Sequence, residues 1–255
     1  MWLRKFASLL KFASLFILVV FILPALASLA WWMLQDRPAN WRAADWSSSG
    51  LLRSAPEADD AAIHVLAART GGAKGAFAVH SWIVIKKPGR TDYERYDKVG
   101  WGNPIRRNAY AADGRWYSNA PAIVATLQGK EAERLIPAVE RAIAGYPYSH
   151  AGDYTLWPGP NSNSFVAHVL HEVPDLGAVL PPNAIGRDFA PGVATFDIAP
   201  DRRDVHATLA GLVGFAAGAR SGLELHFMGL VAGIDIARPA LKIPAYGRLE
   251  LFTGT

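Results

Sequence analysis

Four adjacent polar side chains precede a short helical pattern near the middle of the sequence. Asn161, Ser162, Asn163 and Ser164 follow a rigid Pro-Gly-Pro turn, and apolar residues at 165, 166, 169 and 170 then predict one face of a helix. The N–H groups in the first turn of a helix are unpaired, so a nucleophile there lies beside donors for an oxyanion. The same residue types are also the usual helix N-caps. The segment therefore predicts either a catalytic Ser162, aided by the Asn161 side chain, or a plain helix cap.

A serine nucleophile needs a base, and His80 is the candidate. It lies within the apolar run "AFAVHSWIVI", which predicts a strand on which His80 and Trp82 share one face. A third group that orients the imidazole would come from the next strand, which carries three candidates, Glu94, Tyr96 and Asp97. The alternative is a buried histidine that bonds a backbone carbonyl.

A ligand at this site would contact the neighbouring aromatic and polar side chains. The expected binding residues are Trp82, Trp157, Asn163 and Ser164. Trp157 has an alternative role, since the loop "DYTLWPGP" around it could be a rigid segment whose indole packs in the core.

Other kinds of chemistry have little support in the sequence. The chain has no cysteine, which excludes thiolate nucleophiles and cysteine-ligated metals. His168, His171 and Glu172 lie on one helix, but their order matches no zinc-peptidase motif, so they are expected at the surface and no metal site is predicted. Glycine-rich nucleotide motifs are absent, which predicts no cofactor. The basic residues are scattered and the net charge is only +4, so nucleic-acid binding is not expected.

An uncharged run near the N-terminus predicts a membrane helix. Residues 12–34 are long enough to cross a bilayer, and Arg4, Lys5 and Lys11 precede them. We expect a single pass through the inner membrane, with the bulk of the chain in the periplasm. The small residues "ALASLA" at 25–30 allow a cleaved signal peptide as the alternative, although the apolar run is longer than usual for one.

Composition and periodicity divide the chain into four parts. They are an anchor at 1–34, a linker at 35–60, an α+β domain at 61–195 and an apolar, glycine-rich extension at 196–255. Within the domain, segments 61–69, 77–85 and 92–101 predict an antiparallel meander of strands, and 129–146 predicts a helix that Pro137 kinks. The tail at 205–243 predicts strands that are buried or cover a sheet edge, or a surface that rests on the membrane.

Several motifs resemble an uncharacterised bacterial family, domain of unknown function 3750. They are "HSWIV" (80–84), "VGWG" (99–102), "WYSNAP" (116–121), "WPGPNSNSFV" (157–166) and "PPNAIGRD" (181–188). The resemblance extends over residues 61–192, and the family has no assigned activity.

A more distant similarity is to circularly permuted papain-like proteins, which include NlpC-type peptidases and lecithin retinol acyltransferase. In those proteins a histidine on a strand precedes an Asn-Cys-x-x-Phe motif at a helix start, and "NSNSF" is similar, with Ser162 in the cysteine position and Phe165 three residues later. This resemblance implies a permuted papain-like fold, with an antiparallel sheet packed against helices.

Two functions follow from these observations. The first is a serine-dependent amidase, acyl hydrolase or acyltransferase that uses Ser162 and His80. The second is a non-catalytic envelope module whose papain-like pocket binds a peptide, glycan or lipid. Both have the inner membrane as a partner through residues 12–34.

Overall fold

The computed structural model describes residues 2–53 and 60–252. Residue 1 of the expected anchor, residues 54–59 of the expected linker and residues 253–255 of the expected extension lie outside the described residues. The α-helices are α1 (Trp2–Ile17), α2 (Leu23–Met33), α3 (Gly129–Ala144) and α4 (Ser162–Glu172). A π-helical turn at Leu18–Ile22 joins α1 to α2, and short 3₁₀ turns lie at Gly72–Ala76 and Pro174–Leu176.

A five-stranded antiparallel sheet forms the centre of the domain. Its strands are β1 (Ala62–Arg69), β2 (Val79–Lys86), β3 (Glu94–Lys98), β4 (Ile105–Arg107) and β5 (Ala122–Gln128). Their spatial order is β4-β3-β2-β1-β5, which makes β2 the central strand. The expected meander of three strands is confirmed, because β1 pairs with β2 and β2 with β3, both antiparallel.

The two helices of the domain cover one face of this sheet. On α3, apolar residues recur at helical spacing, and Leu135, Ile136 and Val139 are buried against the sheet. Phe165, Val166 and Val169 of α4 enter the same core. The helix predicted for residues 129–146 is confirmed as α3, which contains Pro137 and ends at Ala144. Mixed α and antiparallel β architecture is thus confirmed.

The opposite face of the sheet has a second, smaller core. Side chains alternate along β2, so Ile83 and Ile85 face the helices, whereas Trp82 and Val84 face away from them. Trp116, from the loop between β4 and β5, packs against Trp82 in this second core. The central strands are therefore buried on both faces.

The C-terminal part forms a sheet of its own. Seven antiparallel strands follow one another in sequence order: β6 (Ala194–Ile198), β7 (Asp204–Leu209), β8 (Val213–Gly218), β9 (Gly222–Phe227), β10 (Leu230–Asp235), β11 (Ala240–Ile243) and β12 (Gly247–Glu250). The prediction of strands in 205–243 is confirmed, but they do not cover an edge of the first sheet. Tight turns between successive strands let each strand pair with the next one.

The N-terminal helix packs against both parts of the chain. Residues Arg4–Met33 form one helical rod that is long and apolar enough to cross a membrane. Phe21, Ala25, Ser28 and Trp32 lie on one stripe of this rod and are buried. The Ser28 hydroxyl donates to the Ala76 carbonyl at 2.6 Å, so the second half of the rod is docked onto the domain.

Candidate active site

His80 forms a buried pair with one of the three predicted orienting residues. Its Nε2 lies 2.8 Å from Asp97 Oδ1, whereas no described residue bonds its Nδ1. The imidazole also stacks on Trp116, with ring centroids 3.7 Å apart and planes within 6°. The alternative of a histidine bonded to a backbone carbonyl is therefore wrong.

The protonation of this pair follows from burial and from Arg95. The Arg95 guanidinium donates two hydrogen bonds of 2.8 Å to Asp97 and lies 3.9 Å from the centre of the Trp82 ring. Burial alone would raise the pKa of Asp97, but the Arg95 charge and the hydrogen bonds outweigh it and lower that pKa. Burial lowers the pKa of His80, and Asp97 opposes this only in part. At neutral pH, Asp97 is therefore a carboxylate and His80 a neutral imidazole.

Glu94 and Tyr96 take part in a different network. The Tyr96 hydroxyl donates to Glu94 at 2.8 Å, and Arg107 lies 2.7 Å from the same carboxylate. Tyr96 packs with the core on the helix side of the sheet. Because alternate residues of β3 face opposite sides, Asp97 is the candidate that shares the His80 face.

The start of α4 contains a complete helix cap. The Asn161 side chain accepts hydrogen bonds from the N–H groups of Asn163 and Ser164, at 2.8 and 3.1 Å. The Ser164 hydroxyl in turn accepts from the Asn161 N–H at 2.6 Å, which completes a capping box. Asn161 and Ser164 are thus structural, and the N–H groups of residues 163 and 164 are already paired.

Asn163 fixes the helix to the central strand. Its side-chain nitrogen donates to the carbonyls of Val79 and Ile185, both at 2.9 Å, and its oxygen accepts from the Ser81 hydroxyl at 2.8 Å. These bonds use both hydrogens of the amide and one lone pair of its oxygen. Asn163 is therefore a structural bridge between α4 and β2, although it borders the cavity described below.

Ser162 is the member of the polar cluster that neither caps α4 nor bridges to β2. The Tyr154 phenol lies beside Ser162, although no hydrogen bond joins the two among the described residues. Burial raises the pKa of Tyr154, and the neighbouring Ser162 opposes this only in part, so Tyr154 is neutral at physiological pH. Ser162 is the first residue of α4, within one turn of the helix start, as the sequence predicted.

His80 and Ser162 line one cavity of about 550 Å³. Among the described residues, no hydrogen bond joins the two side chains. Ser81, the neighbour of His80, contacts α4, so the His80 side chain lies on the other face of β2 from that helix. The cavity wraps around the beginning of β2 and reaches both groups. Most of its other lining is aromatic or apolar: Phe77, Trp101, Trp116, Tyr117, Tyr154, Leu156, Trp157, Ile185, Met228 and Leu230.

The expected binding residues divide into two groups. Trp157 lines the cavity and is about a third exposed, so it is not a core residue. Trp82 is fully buried and its Nε1 donates to the Ala112 carbonyl, while Ser164 is buried in the cap. Trp82 and Ser164 are therefore not ligand contacts, because neither reaches the cavity.

Sequence reasoning missed three residues that shape the site. Trp116 stacks on His80, Tyr154 lies beside Ser162, and Arg95 stabilises the charge of Asp97. Two of them could have been found from the sequence. Trp116 belongs to the quoted "WYSNAP" motif, and Arg95 lies two residues before Asp97, on the same face of a strand.

The comparisons with known proteins identify a family but no activity. Residues 60–189, about half of the chain, match the model of a family described as "Protein of unknown function (DUF3750)". No curated protein and no solved structure matches the chain. The matched range contains His80, Asp97, Tyr154 and Ser162, whereas the N-terminal helix and the seven-stranded sheet lie outside it.

Proposed function

We propose that this chain, which belongs to the DUF3750 family of unknown function, is a membrane-anchored hydrolase or transferase of acyl groups. The observation that carries the proposal is one cavity lined by both the imidazole of His80, which is paired with Asp97, and the hydroxyl of Ser162, which neither caps α4 nor bridges to β2. In this proposal Ser162 is the nucleophile, His80 the general base and Asp97 the residue that orients the base.

The bond between Asp97 and His80 determines which nitrogen acts. Because His80 Nε2–H donates to the Asp97 carboxylate, the lone pair is on Nδ1. Nδ1 takes the proton of the Ser162 hydroxyl, directly or through one water, while the serine oxygen attacks a carbonyl carbon. The imidazolium that forms is stabilised by Asp97. His80 then gives the proton to the leaving group, and water or an acceptor alcohol releases the acyl group in a second step.

The oxyanion of the tetrahedral intermediate requires donors. The N–H groups of Asn163 and Ser164, expected from the sequence, are paired with Asn161. The Tyr154 phenol is neutral and lies beside Ser162, so it replaces them in this proposal as the main donor.

The lining of the cavity favours a lipid acyl chain as the substrate group. Leu156, Trp157, Met228 and Leu230 give it an apolar wall, and Lys74 lies at its border. The segment that carries Lys74 also receives the N-terminal helix, since the Trp32 indole donates to the Gly72 carbonyl at 2.9 Å. A substrate from the bilayer would therefore enter next to the anchor. Peptide and glycan substrates fit this apolar lining less well.

A substrate-independent test is labelling by a fluorophosphonate probe, which reacts with activated serines. We expect the full chain in detergent micelles to be labelled at Ser162, and we expect Ser162→Ala and His80→Gln each to abolish labelling. Ser164→Ala is the matched control: it should lose about 1 kcal/mol of stability with the cap and keep its labelling. Folded protein that is not labelled, or labelling that persists in Ser162→Ala, would refute the enzyme.

A binding module is the second candidate, because no hydrogen bond joins His80 and Ser162. If the protein is a binding module, a chain that does not react with the fluorophosphonate probe should still bind a fluorescent fatty acid in the cavity. Trp157→Ala should then weaken binding, while Ser162→Ala should leave the affinity unchanged.

The location proposed for this activity is the periplasmic face of the inner membrane. Arg4, Lys5 and Lys11 precede the helical rod and favour a cytoplasmic N-terminus. The contacts of Ser28 and Trp32 with the domain support an uncleaved anchor. Protease added to spheroplasts should degrade the domain, and its protection until lysis would reverse the orientation.

A further inference from the structure

Two histidines and a carboxylate meet on the inner face of the seven-stranded sheet, away from the cavity above. His206 on β7 and His226 on β9 extend over β8, whose residues at the facing positions are Gly214 and Ala216. These small residues leave room for the two imidazoles, whose centroids are 5.4 Å apart. Asp188, from the loop before β6, approaches the same point.

The facing atoms of these side chains have no ordinary hydrogen bonds. His206 Nε2 and His226 Nδ1 are buried and lack a hydrogen-bond partner among the described residues. His226 Nδ1 lies 3.3 Å from Asp188 Oδ2, but without the geometry of a hydrogen bond. One donor atom from each of the three side chains falls within 4.8 Å of the others.

The other nitrogen of His226 is held by a carboxylate. His226 Nε2 lies 3.0 Å from Glu224 Oε2, and Glu224 is also paired with Arg187 and Lys242. This network fixes the Glu224 charge, so Nε2 carries the proton that it donates, while Nδ1 faces Asp188. A proton on Nδ1 or a metal cation between the two atoms would each offset the repulsion between the Nδ1 lone pair and the carboxylate. Metal-binding histidines commonly have such a carboxylate on their second nitrogen.

We propose that Asp188, His206 and His226 bind a divalent transition metal, with zinc as the best fit. Zinc prefers imidazole and carboxylate ligands at about 2.0–2.2 Å, and a tetrahedron of that size has edges of roughly 3.3–3.6 Å. The 3.3 Å separation of His226 Nδ1 and Asp188 Oδ2 falls in that range, and all three donor atoms lie within 4.8 Å of one another. Three protein ligands leave the fourth position for water, which would face an adjoining cavity of about 160 Å³.

The test uses the full chain in detergent micelles after treatment with a chelator. Titration with Co²⁺ should produce the intense visible absorption of a tetrahedral site at one equivalent, and Zn²⁺ should abolish that absorption. Zn²⁺ should also raise the Tm of the wild type. His206→Gln and Asp188→Asn should each weaken binding by tenfold or more, while their metal-free Tm stays near that of the wild type. His171→Gln is the control, because His171 lines the same cavity without being a proposed ligand.

Two results would overturn the site. One is the absence of stoichiometric Co²⁺ binding, which would leave His226 as a protonated bridge between Glu224 and Asp188. The other is binding that survives His206→Gln and Asp188→Asn, which would locate the metal elsewhere. Neither result depends on the fluorophosphonate experiment, so the metal site and the proposed enzyme can fail separately.

A second inference rests on the outer face of the same sheet. Strand register places apolar side chains opposite one another across the whole face, as in the row Phe215–Leu225–Ala232 and the row Leu223–Ile234–Leu241–Leu249. Ten of these side chains are exposed by more than a third: Phe196, Ile198, Leu209, Val213, Phe215, Leu223, Leu225, Ile234, Leu241 and Leu249. Seven strands span about 30 Å at about 4.8 Å per strand, so this surface exceeds the usual apolar patch of a soluble protein.

The apolar face is continuous with the anchor. Val20 of the helical rod borders the same apolar depression as Phe215, Leu225 and Ile234. The rings of Phe21 and Phe227 are 5.6 Å apart. We infer that this face lies on the bilayer that the helix crosses, with its side chains among the lipid acyl chains. The inner strands β7 to β11 pair their backbone groups on both sides, so only the edge strands β6 and β12 have N–H and C=O groups left for the polar headgroup region.

Because the chain has no cysteine, single labels can test this arrangement without background. Leu225→Cys, labelled with a fluorophore and reconstituted in phosphatidylcholine vesicles, should be strongly quenched by lipids with a nitroxide on the acyl chain. Glu133→Cys on the exposed side of α3 is the matched control and should be quenched weakly. Equal quenching at both positions would refute the membrane contact. Efficient disulfide formation between copies of unlabelled Leu225→Cys would instead identify a second chain as the occupant.

Discussion

The two sheets of this protein bury opposite kinds of side chains. In the five-stranded sheet, β2 has apolar residues on both faces and both are covered, with Ile83 and Trp82 fully buried. In the seven-stranded sheet, the covered face carries Glu224, His226 and Lys242, while the uncovered face is apolar. The first pattern is that of a soluble domain. The second pattern is the inverse, with polar residues buried and apolar residues exposed. Such a sheet is stable only where something other than water covers its apolar face.

The comparison also separates two uses of buried charge. Asp97 in the first sheet is held by Arg95 and His80, next to the cavity of the candidate active site. Glu224 in the second sheet is held by Arg187 and Lys242 under the proposed metal site. In both cases, cations lower the pKa of a buried carboxyl against the effect of burial. Two of the buried carboxylates of this protein therefore lie at the places where chemistry is proposed.

The largest expected effect is the loss of either buried carboxylate. Asp97→Ala and Glu224→Ala should each cost about 3–5 kcal/mol of stability, because each leaves buried cations unpaired. Urea denaturation in detergent micelles, followed by tryptophan fluorescence, measures the loss. Asp92→Ala, which removes an exposed acid paired with Arg90, should change stability by less than about 1 kcal/mol. A loss for Glu224→Ala as small as that for Asp92→Ala would mean that the second sheet does not bury its polar face.

The next largest effect is a difference between the two sheets in the stability lost when an apolar side chain is removed. Ile83→Ala empties a fully buried position and should cost about 2–5 kcal/mol. Leu225→Ala, at a position about half exposed, should change the stability in detergent by no more than about 0.5 kcal/mol. The Tm values of the two variants measure this difference. Similar losses would show that the outer face of the second sheet packs against protein.

The smallest expected effect is a pH dependence of the first sheet. Burial lowers the pKa of His64, whose Nδ1 lies 2.9 Å from the Thr126 hydroxyl on β5. Below the unfolded-state pKa of about 6.5, the unfolded chain binds a proton that the folded chain lacks. Stability should therefore fall as the pH drops from 7.5 towards 5.5, and His64→Gln should reduce that slope. An unchanged slope in His64→Gln would mean that this histidine is not buried in its neutral form.

The periodicity of the sequence predicted the strands and helices of the first domain, but it did not predict which side chains these elements bring into contact. The apolar runs gave β1, β2 and α3, and the Pro-Gly-Pro turn gave the start of α4. Strand alternation separates Asp97 from Glu94 and Tyr96, yet deciding which face lies beside His80 requires the register between β2 and β3, which one sequence does not contain.

The second sheet was harder to predict because alternation does not say which face is inside. Its strands alternate regularly, but the usual assumption turns their apolar residues inward. The sequence analysis did not point to the proposed metal site for a related reason. His206 and His226 are far apart in sequence and meet only through two successive hairpins, and Asp188 reaches them from a separate loop.

The buried stripe of the N-terminal helix fixes the position of the domain along that helix. Phe21, Ala25, Ser28 and Trp32 tie the rod to the domain over about three turns, so the linker after residue 34 does not act as a free tether. With the rod in a membrane, as proposed, the domain would not sample the volume around its anchor, and its search for a partner would be confined to two dimensions. For the proposed lipid substrate, encounter rates should then depend on its surface density in the same membrane and on lateral diffusion, whereas dilution of the surrounding solution should leave them unchanged.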